Sequence, residues 1–285
     1  MPSYPKNYPF YSWMPKPLGI IILLFFFLPI LTVGGVYSVN STEMMSGLGI
    51  ISEHIQFANF VTSIGMAAFA PFLYQLVCVR REKMMCIVGF AFMYIFSYIC
   101  AKTDSVFLLA LCSLLTGFLR MVLMMVNLFT LIWYAGGMEA TRNITPGLEP
   151  KDTAGWNKLD IERCVSQPAV YLFFMILGQS GTALTAWLSF EYEWKYVYYF
   201  MMGILLISIL LLFITMPNYK FPGRFPINFR KFGNVTAFCI SLTCLTYVLV
   251  YGKVLDWYDD ESIRWATAVS LSLIHISEPT RRRGI

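Results

Sequence analysis

The chain has 285 residues, of which 58% are hydrophobic and only 13% are charged. This composition is typical of a polytopic helical membrane protein and excludes an ordinary soluble domain. The formal net charge is +5, but three arginines lie in residues 281–285, and the rest of the chain has no basic patch that would bind nucleic acid.

Residues that usually bind metals or carry out catalysis are sparse. The two histidines, His54 and His275, are too few to hold a di-iron centre, which argues against a membrane oxygenase. The seven cysteines form no CxxC pair, and six lie in or beside apolar segments, where we expect small buried apolar residues. Because no nucleophile–base spacing is present either, we expect no enzyme activity, no cofactor and no metal.

In chain order, residues 1–16 are predicted to form a short cytoplasmic segment. Seven apolar runs follow, each suited to crossing a hydrocarbon core of about 30 Å as a helix. They are residues 17–39, 55–79, 84–101, 106–133, 169–190, 196–216 and 235–252, and an eighth run begins at Trp265. The sequence therefore predicts an all-α transmembrane bundle, with a bend at Pro29 in the first helix.

The distribution of Lys and Arg predicts the topology. With the N-terminus inside, the inner segments carry thirteen basic residues and the outer loops carry four, namely Lys102, Lys195, Lys253 and Arg264. This bias agrees with the positive-inside rule. We therefore expect a multi-pass membrane protein with a cytoplasmic N-terminus.

Arg120 is the one charged residue of the fourth run, residues 106–133, and lies near its centre. An arginine at mid-membrane costs from about 2.5 to over 10 kcal/mol, so it faces a protein interior or a water-filled cavity. Arg120 either pairs with a carbonyl or carboxylate and only holds helices together, or it lines a transport path. We favour the transport path, because ionisable residues inside a span usually mark function.

Uncharged polar residues also lie inside the predicted spans: Asn59, Gln75, Asn127 and Gln179. Each is either a hydrogen-bonding link between helices, which is the commoner role, or a contact with a transported solute. No acidic residue lies inside an apolar run, so a proton carrier would be a group at a helix end or would lie outside these 285 residues. Glu43 is our candidate, and the alternative is an ordinary solvated carboxylate.

Arg80, Arg81 and Lys83 follow the second span and are candidates for a gate. They could pair with carboxylates in one conformation of the protein. The simpler interpretation, which we favour, is that they are cytoplasmic charges that obey the positive-inside rule.

In the fifth span, Gly178 and Gly181 are small enough for a neighbouring helix to approach closely. Such a position serves either as a helix bend between two conformations or as ordinary packing, and we weigh the two equally. Gln179 and Thr182 add polar atoms at the same depth.

Four motifs, in order along the second half of the chain, carry a resemblance to a known family. Residues 181–186 (GTALTA) lie where that family has G-P-x-x-G-G, and residues 193–200 (EWKYVYYF) resemble its W-[RG]-W-[IV]-F motif. Residues 230–233 (RKFG) resemble F-D-x-x-G, and residues 251–257 (YGKVLDW) resemble G-x-x-x-x-W. The chain thus resembles the major facilitator superfamily, and within it the EmrB/QacA branch of fourteen-helix drug:proton antiporters.

The first half of the chain matches the family pattern less closely. Arg120 resembles the arginine of the fourth-helix motif R-x-x-x-G, which is implicated in proton coupling, although Met124 replaces the glycine. In the loop after the second span, only the basic group Arg80, Arg81 and Lys83 resembles the family.

The resemblance implies the N-terminal half of a major facilitator fold. Residues 17–217 would form a six-helix bundle and residues 218–270 the linking helices, with a C-terminal bundle of the same protein lying outside these 285 residues. It implies a transporter that moves a small amphipathic solute by alternating access, most simply as proton-coupled efflux. Its partners would be the lipid bilayer, the solute, protons and that C-terminal bundle, and the resemblance implies a cell inner membrane as its location.

Residues 271–281 (LSLIHISEPTR) resemble the translation of a transposase sequencing adapter. We therefore expect the natural sequence to stop near Ser270, and residues 271–285 to be a non-native tail.

A second hypothesis is a membrane sensor or docking protein without a transport cycle. It would use the polar segment 136–168, which is long for a connection between helices, as its docking surface.

Overall fold

The computed structural model describes residues 9–32, 40–49, 51–72, 82–103, 105–136, 168–218 and 229–277. Within these ranges all regular structure is helical and there is no strand, which confirms the all-α prediction. The helices are α1 (Lys16–Thr32), α2 (Ser41–Leu48), α3 (Ser52–Ala67), α4 (Glu82–Lys102), α5 (Val106–Gly136), α6 (Pro168–Glu191), α7 (Lys195–Thr215), α8 (Phe229–Tyr251) and α9 (Glu261–Ser277). Two 3-10 turns, Ala70–Phe72 and Trp257–Asp259, complete the list for the described ranges.

Four of the described helices are long and apolar enough to cross a membrane. The spans lie in α4, α5, α7 and α8, at Glu82–Lys102, Phe107–Leu128, Lys195–Thr215 and Gly233–Tyr251. Helix α1 is apolar but has 17 residues, so it is shorter than a typical span. The membrane character is therefore supported for these four helices, and the count of seven complete spans in a major facilitator half-fold stays a prediction.

Helix α2 was not predicted, because it lies in the stretch that the sequence analysis treats as an outer loop. Its ends carry ordinary helix signals. Glu43 lies in the first turn, where a carboxylate interacts favourably with the helix dipole, and Gly49 ends the helix with a left-handed φ of 63°. The Gly49 N–H donates to the carbonyl of Met45 at 2.9 Å. Eight residues are too few for an apolar period to be visible in the sequence.

Helices α3 and α5 touch backbone to backbone. A Cβ atom on Gly65 would lie 2.1 Å from the carbonyl oxygen of Leu114, and one on Gly117 would lie 2.1 Å from that of Thr62. Each glycine thus lies against the backbone of the other helix. Close approach through small residues is a common way for helices to pack in membranes.

The main core lies where α1, α4, α5 and α7 pack together. Phe26 of α1 contacts Phe90 of α4 with ring centroids 6.0 Å apart, and both side chains are fully buried. Gly89 of α4 leaves room for the side chain of Leu123 on α5. The core thus orients α5, the helix that carries Arg120.

Helices α8 and α9 form a pair that packs against the rest of the bundle through α3. Phe57 of α3 packs against both Tyr247 and Tyr251 of α8, at centroid distances of 5.9 and 5.7 Å. His54 of α3 is hydrogen bonded through Nδ1 to the Tyr251 hydroxyl. This pair corresponds to the predicted linking helices, whose boundary as a separate unit stays a prediction.

Two contacts place the N-terminal segment, the start of α4 and the end of α7 at one end of the bundle. The Tyr11 N–H donates to the carbonyl of Thr215 at 3.3 Å, and Lys83 Nζ donates to the carbonyl of Met216. The alternation of spans predicts these three segments to share one side. We refer to this end as the Lys83 end, and to the other as the Glu43 end.

Candidate functional site

Helix α5 carries a polar stripe along its length. Arg120 lies in it, together with buried polar residues that the sequence analysis in part missed: Ser113, Thr116, Asn127 and Thr130. At 100° per residue these five positions fall within about a third of the helix circumference. Their spacing in the sequence is the signal that could have identified the stripe.

The uncharged members of the stripe are hydrogen bonded within their own helix. Ser113 Oγ donates to the carbonyl of Leu109 at 2.6 Å, and Thr130 Oγ1 donates to that of Val126 at 2.7 Å. Thr116 Oγ1 donates to the carbonyl of Cys112 in the same way. These bonds let hydroxyls lie at membrane depth without a partner on another helix.

Arg120 differs from these neighbours. The residue is half-buried, and its Nε is fully buried without a hydrogen-bond partner among the described residues. A buried guanidinium nitrogen that lacks a partner is costly, and more so in a membrane interior. Arg120 therefore has an unused donor on the buried face of α5.

Asn127 has partners for both ends of its amide. Its Nδ2 donates to the carbonyl of Leu123 at 2.9 Å, and its Oδ1 lies 3.8 Å from Cys86 Sγ on α4, within reach of the thiol proton. Asn127 is 1% exposed. These contacts favour the packing interpretation for Asn127, as a link between α4 and α5.

Asn59, which the sequence places among the solute-contact candidates, is half-buried on α3. Its carbonyl accepts a hydrogen bond from Ser63 Oγ at 3.2 Å. Gln179 and Gly178 fall within α6, and their surroundings lie outside the described part of the structure, as does Gln75.

Lys83 joins two helices. Besides its hydrogen bond to the carbonyl of Met216, its Nζ lies 5.5 Å from the ring centroid of Phe213. A cation at this position interacts favourably with the C-terminal dipole of α7. Arg80 and Arg81 lie outside the described residues, so a gate formed by the three basic residues stays a prediction.

Gly181 allows a close approach between α6 and α1. A Cβ atom there would lie 3.1 Å from Thr32 Cγ2. Thr182 is half-buried one residue further on, and its carbonyl accepts a hydrogen bond from Thr185 Oγ1 at 2.8 Å. Close packing at Gly181 is thus present, and a bend between two conformations stays a prediction.

Glu43 lies far from the interior of a span, in a cavity at the Glu43 end with a volume of about 340 Å³. The cavity is formed where α2, the end of α6 and the start of α7 meet. Its lining residues are Glu43, Ser46, Gly47, Ser189, Tyr192, Glu193, Trp194 and Lys195. Arg120 is not among them, so the structure does not bring the two charged candidates together.

Gly47 determines how the cavity wall is built. A Cβ atom on Gly47 would lie 2.3 Å from Trp194 Nε1, so the indole ring lies directly against α2. The Lys195 ammonium lies 5.6 Å from the centroid of the Trp194 ring. Trp194 and Lys195 belong to one of the four sequence motifs, whereas Ser46, Ser189 and Tyr192 were not predicted as site residues.

Within the described ranges, no group of three His, Cys, Asp or Glu side chains is placed to hold a metal ion. The predicted docking segment 136–168 lies outside these ranges except for its ends, Gly136 and Pro168. No family model matches the chain, and no curated protein is similar to it in sequence.

Proposed function

We propose that this chain is a membrane transporter that moves a small amphipathic solute by alternating access, with Arg120 of α5 lining the path. The observation that carries the proposal is the buried Nε of Arg120, which has no partner among the described residues. The uncharged residues of the stripe all form hydrogen bonds within α5. Helix packing along the stripe therefore does not require a charged residue.

The proposed transport is proton-coupled efflux of the drug:proton antiporter type. The resemblance of four ordered motifs to the EmrB/QacA branch supports it, as does the position of Arg120 at the fourth-helix motif arginine. The proposed location is a cell inner membrane, which the family resemblance implies. The proposed orientation has a cytoplasmic N-terminus, which rests on the Lys and Arg distribution.

The test is efflux of ethidium, a fluorescent lipophilic cation, from cells that express the complete gene that encodes these residues. We expect faster efflux than in vector-only cells, and loss of that difference in Arg120→Ala at an equal amount of protein in the membrane fraction. Arg264→Ala is the matched control, because Arg264 is an exposed arginine on α9. Its efflux rate should equal that of the unaltered chain.

Two results would contradict the proposal. One is an Arg120→Ala variant that exports ethidium at the unaltered rate. The other is an unaltered, membrane-inserted product of the complete gene that exports ethidium no faster than vector-only cells.

A further inference from the structure

The cavity at the Glu43 end has a negatively charged lining whose carboxylates are unpaired. Glu43 and Glu193 both line it, and neither forms an ion pair with any described residue. The third charged residue, Lys195, has its ammonium over the ring of Trp194 instead. Two carboxylates and one ammonium leave the lining with a net charge of −1.

A buried hydroxyl in the same lining also lacks a partner. Ser189 is 3% exposed, and its Oγ has no hydrogen-bond partner in the described part of the chain. Other buried hydroxyls in the helices, such as Ser208 Oγ, donate to the carbonyl four residues earlier. Burying an unsatisfied hydroxyl costs free energy, which a ligand in the cavity would recover.

The cavity has the size of a small-ligand site. Its volume of about 340 Å³ lies at the lower end of the range of about 300–1,000 Å³ that is usual for ligand pockets. Tyr192 and Trp194 supply aromatic surface beside the polar groups. This combination suits a molecule with a charged group and an apolar body.

We propose that this cavity is a binding site for a small organic cation that carries a protonated amine. The ammonium would donate to the carboxylates of Glu43 and Glu193 and to Ser189 Oγ, and charge-assisted hydrogen bonds of this kind are the strong ones. The apolar body would lie against Tyr192 and Trp194, whose ring faces also attract cations. An anionic ligand would instead meet two unpaired carboxylates.

This site is separate from the polar stripe of α5. It lies at the ends of α6 and α7, and no residue of the stripe lines it. Binding there can be measured without any transport.

The test is calorimetric titration of the detergent-purified full chain with 2-phenylethylammonium, and with 2-phenylethanol as the neutral molecule of similar shape. We expect the amine to bind at millimolar concentration or below and the alcohol to bind at least about tenfold more weakly. Glu43→Gln and Glu193→Gln should each weaken amine binding about threefold, and the double variant about tenfold.

Glu53→Gln is the matched control, because Glu53 is a half-buried carboxylate in the first turn of α3 that does not line the cavity. Its affinity for the amine should be unchanged. Equal binding of the amine and the alcohol, no binding of the amine, or undiminished binding by the double variant would overturn the proposal. If the double variant does not fold, the comparison of amine with alcohol on the unaltered chain decides.

The same titration on Arg120→Ala separates this inference from the transport proposal. Amine binding should persist in that variant whether or not ethidium efflux is lost. Loss of amine binding in Arg120→Ala would contradict a separate site.

Discussion

Ser241 of α8 and Ser270 of α9 bind each other twice. Ser241 Oγ donates to the carbonyl of Ser270 at 2.9 Å, and Ser270 Oγ donates to the carbonyl of Ser241 at 3.1 Å. Both residues are buried, at 0% and 1% exposure. This reciprocal pair holds the two helices together at a point where both backbones approach closely.

Replacing either serine of this pair by alanine should loosen α8 from α9. Hydrogen bonds between helices in a membrane contribute about 0.6 kcal/mol on average, so we expect about that loss of unfolding free energy for Ser241→Ala and a similar loss for Ser270→Ala. SDS titration in mixed micelles measures it. The double variant should lose less than the sum if the two residues act as one unit.

The control for the serine pair is Ser63→Ala, because Ser63 is exposed and its hydroxyl bonds only within α3. If Ser63→Ala loses as much unfolding free energy as Ser241→Ala, the hydrogen bond between helices stabilises the protein no more than one within a helix.

A methyl group on either contact glycine should separate α3 from α5. Gly65→Ala and Gly117→Ala each place a Cβ against a backbone carbonyl of the other helix, which cannot move as the end of a flexible side chain can. Overpacking of this kind costs about 1–3 kcal/mol of unfolding free energy or more. The same SDS titration measures it.

Gly203→Ala is the matched control for the glycine contacts. Gly203 lies inside α7, and beyond its chain neighbours and the nearby helix backbone no described atom lies within 4 Å of the position its Cβ would take. Because alanine is the better helix former by about 0.5–1 kcal/mol, this variant should be at least as stable as the unaltered chain. The prediction for α3 and α5 is wrong if all three variants behave alike.

The start of α9 should respond to pH through Asp260. The Ser262 hydroxyl and the Ser262 N–H, at 2.7 Å, both donate to Asp260 Oδ1, and these bonds lower the pKa of the carboxyl below its ordinary value. A carboxyl whose pKa is lower in the folded state stabilises the fold above its unfolded pKa of about 3.9. That stabilisation is lost as the pH falls through the lower folded pKa.

Asp260→Asn isolates this effect, because asparagine can still accept the bonds but does not titrate. We expect the loss of thermal stability between about pH 4 and the acid limit of the measurement to be smaller in Asp260→Asn than in the unaltered chain. Circular dichroism during heating measures it. Identical pH profiles for the two proteins would show that the carboxyl contributes nothing.

The sequence predicts the long helices well because an apolar run of span length has few other ways to satisfy its backbone. Helix α4, at Glu82–Lys102, and helix α7, at Lys195–Thr215, nearly coincide with the predicted runs 84–101 and 196–216. Helix α3, at Ser52–Ala67, starts earlier than the predicted run 55–79 because polar residues with helix-start character precede the apolar ones. An apolar run defined by hydropathy leaves out these polar residues, so it begins after the first residues of the helix.

The structure shows a contact between the two residues that define one of the sequence motifs. Gly252 and Trp257, quoted for the G-x-x-x-x-W resemblance, are in contact, since a Cβ on Gly252 would lie 2.7 Å from the Trp257 ring. The Trp257 N–H donates to the Gly252 carbonyl at 2.6 Å, and Asp256 between them has a left-handed φ of 52°. This bond closes the turn that follows α8.

The candidate sites were only partly predictable. The spacing of polar residues in α5 is visible in the sequence, but whether the Arg120 Nε finds a partner depends on the neighbouring helices. The cavity at the Glu43 end combines α2 with the joint between α6 and α7, which are far apart in the chain. The spacing of residues in the sequence does not show that such segments lie together, so this cavity could be identified only from the packed structure.

Lys83 should stabilise the packing of the end of α7 against the start of α4. Its Nζ donates to the carbonyl of Met216, just beyond the last residue of α7, where the helix dipole is negative. Lys83→Met keeps much of the side-chain length but removes the charge and the donor. We expect a loss of about 1–2 kcal/mol of unfolding free energy in the SDS titration, because hydrogen bonds from charged groups are worth more than neutral ones.

Lys102→Met provides the comparison for Lys83, because Lys102 is an exposed lysine at the opposite end of the same helix. Its unfolding free energy should change by less than about 0.5 kcal/mol. Lys83→Arg should recover part of the loss, since arginine keeps the charge and can still donate to the end of α7. Equal losses in Lys83→Met and Lys102→Met would mean that the contact with Met216 does not stabilise the bundle, and that Lys83 acts only as a charge at the membrane surface.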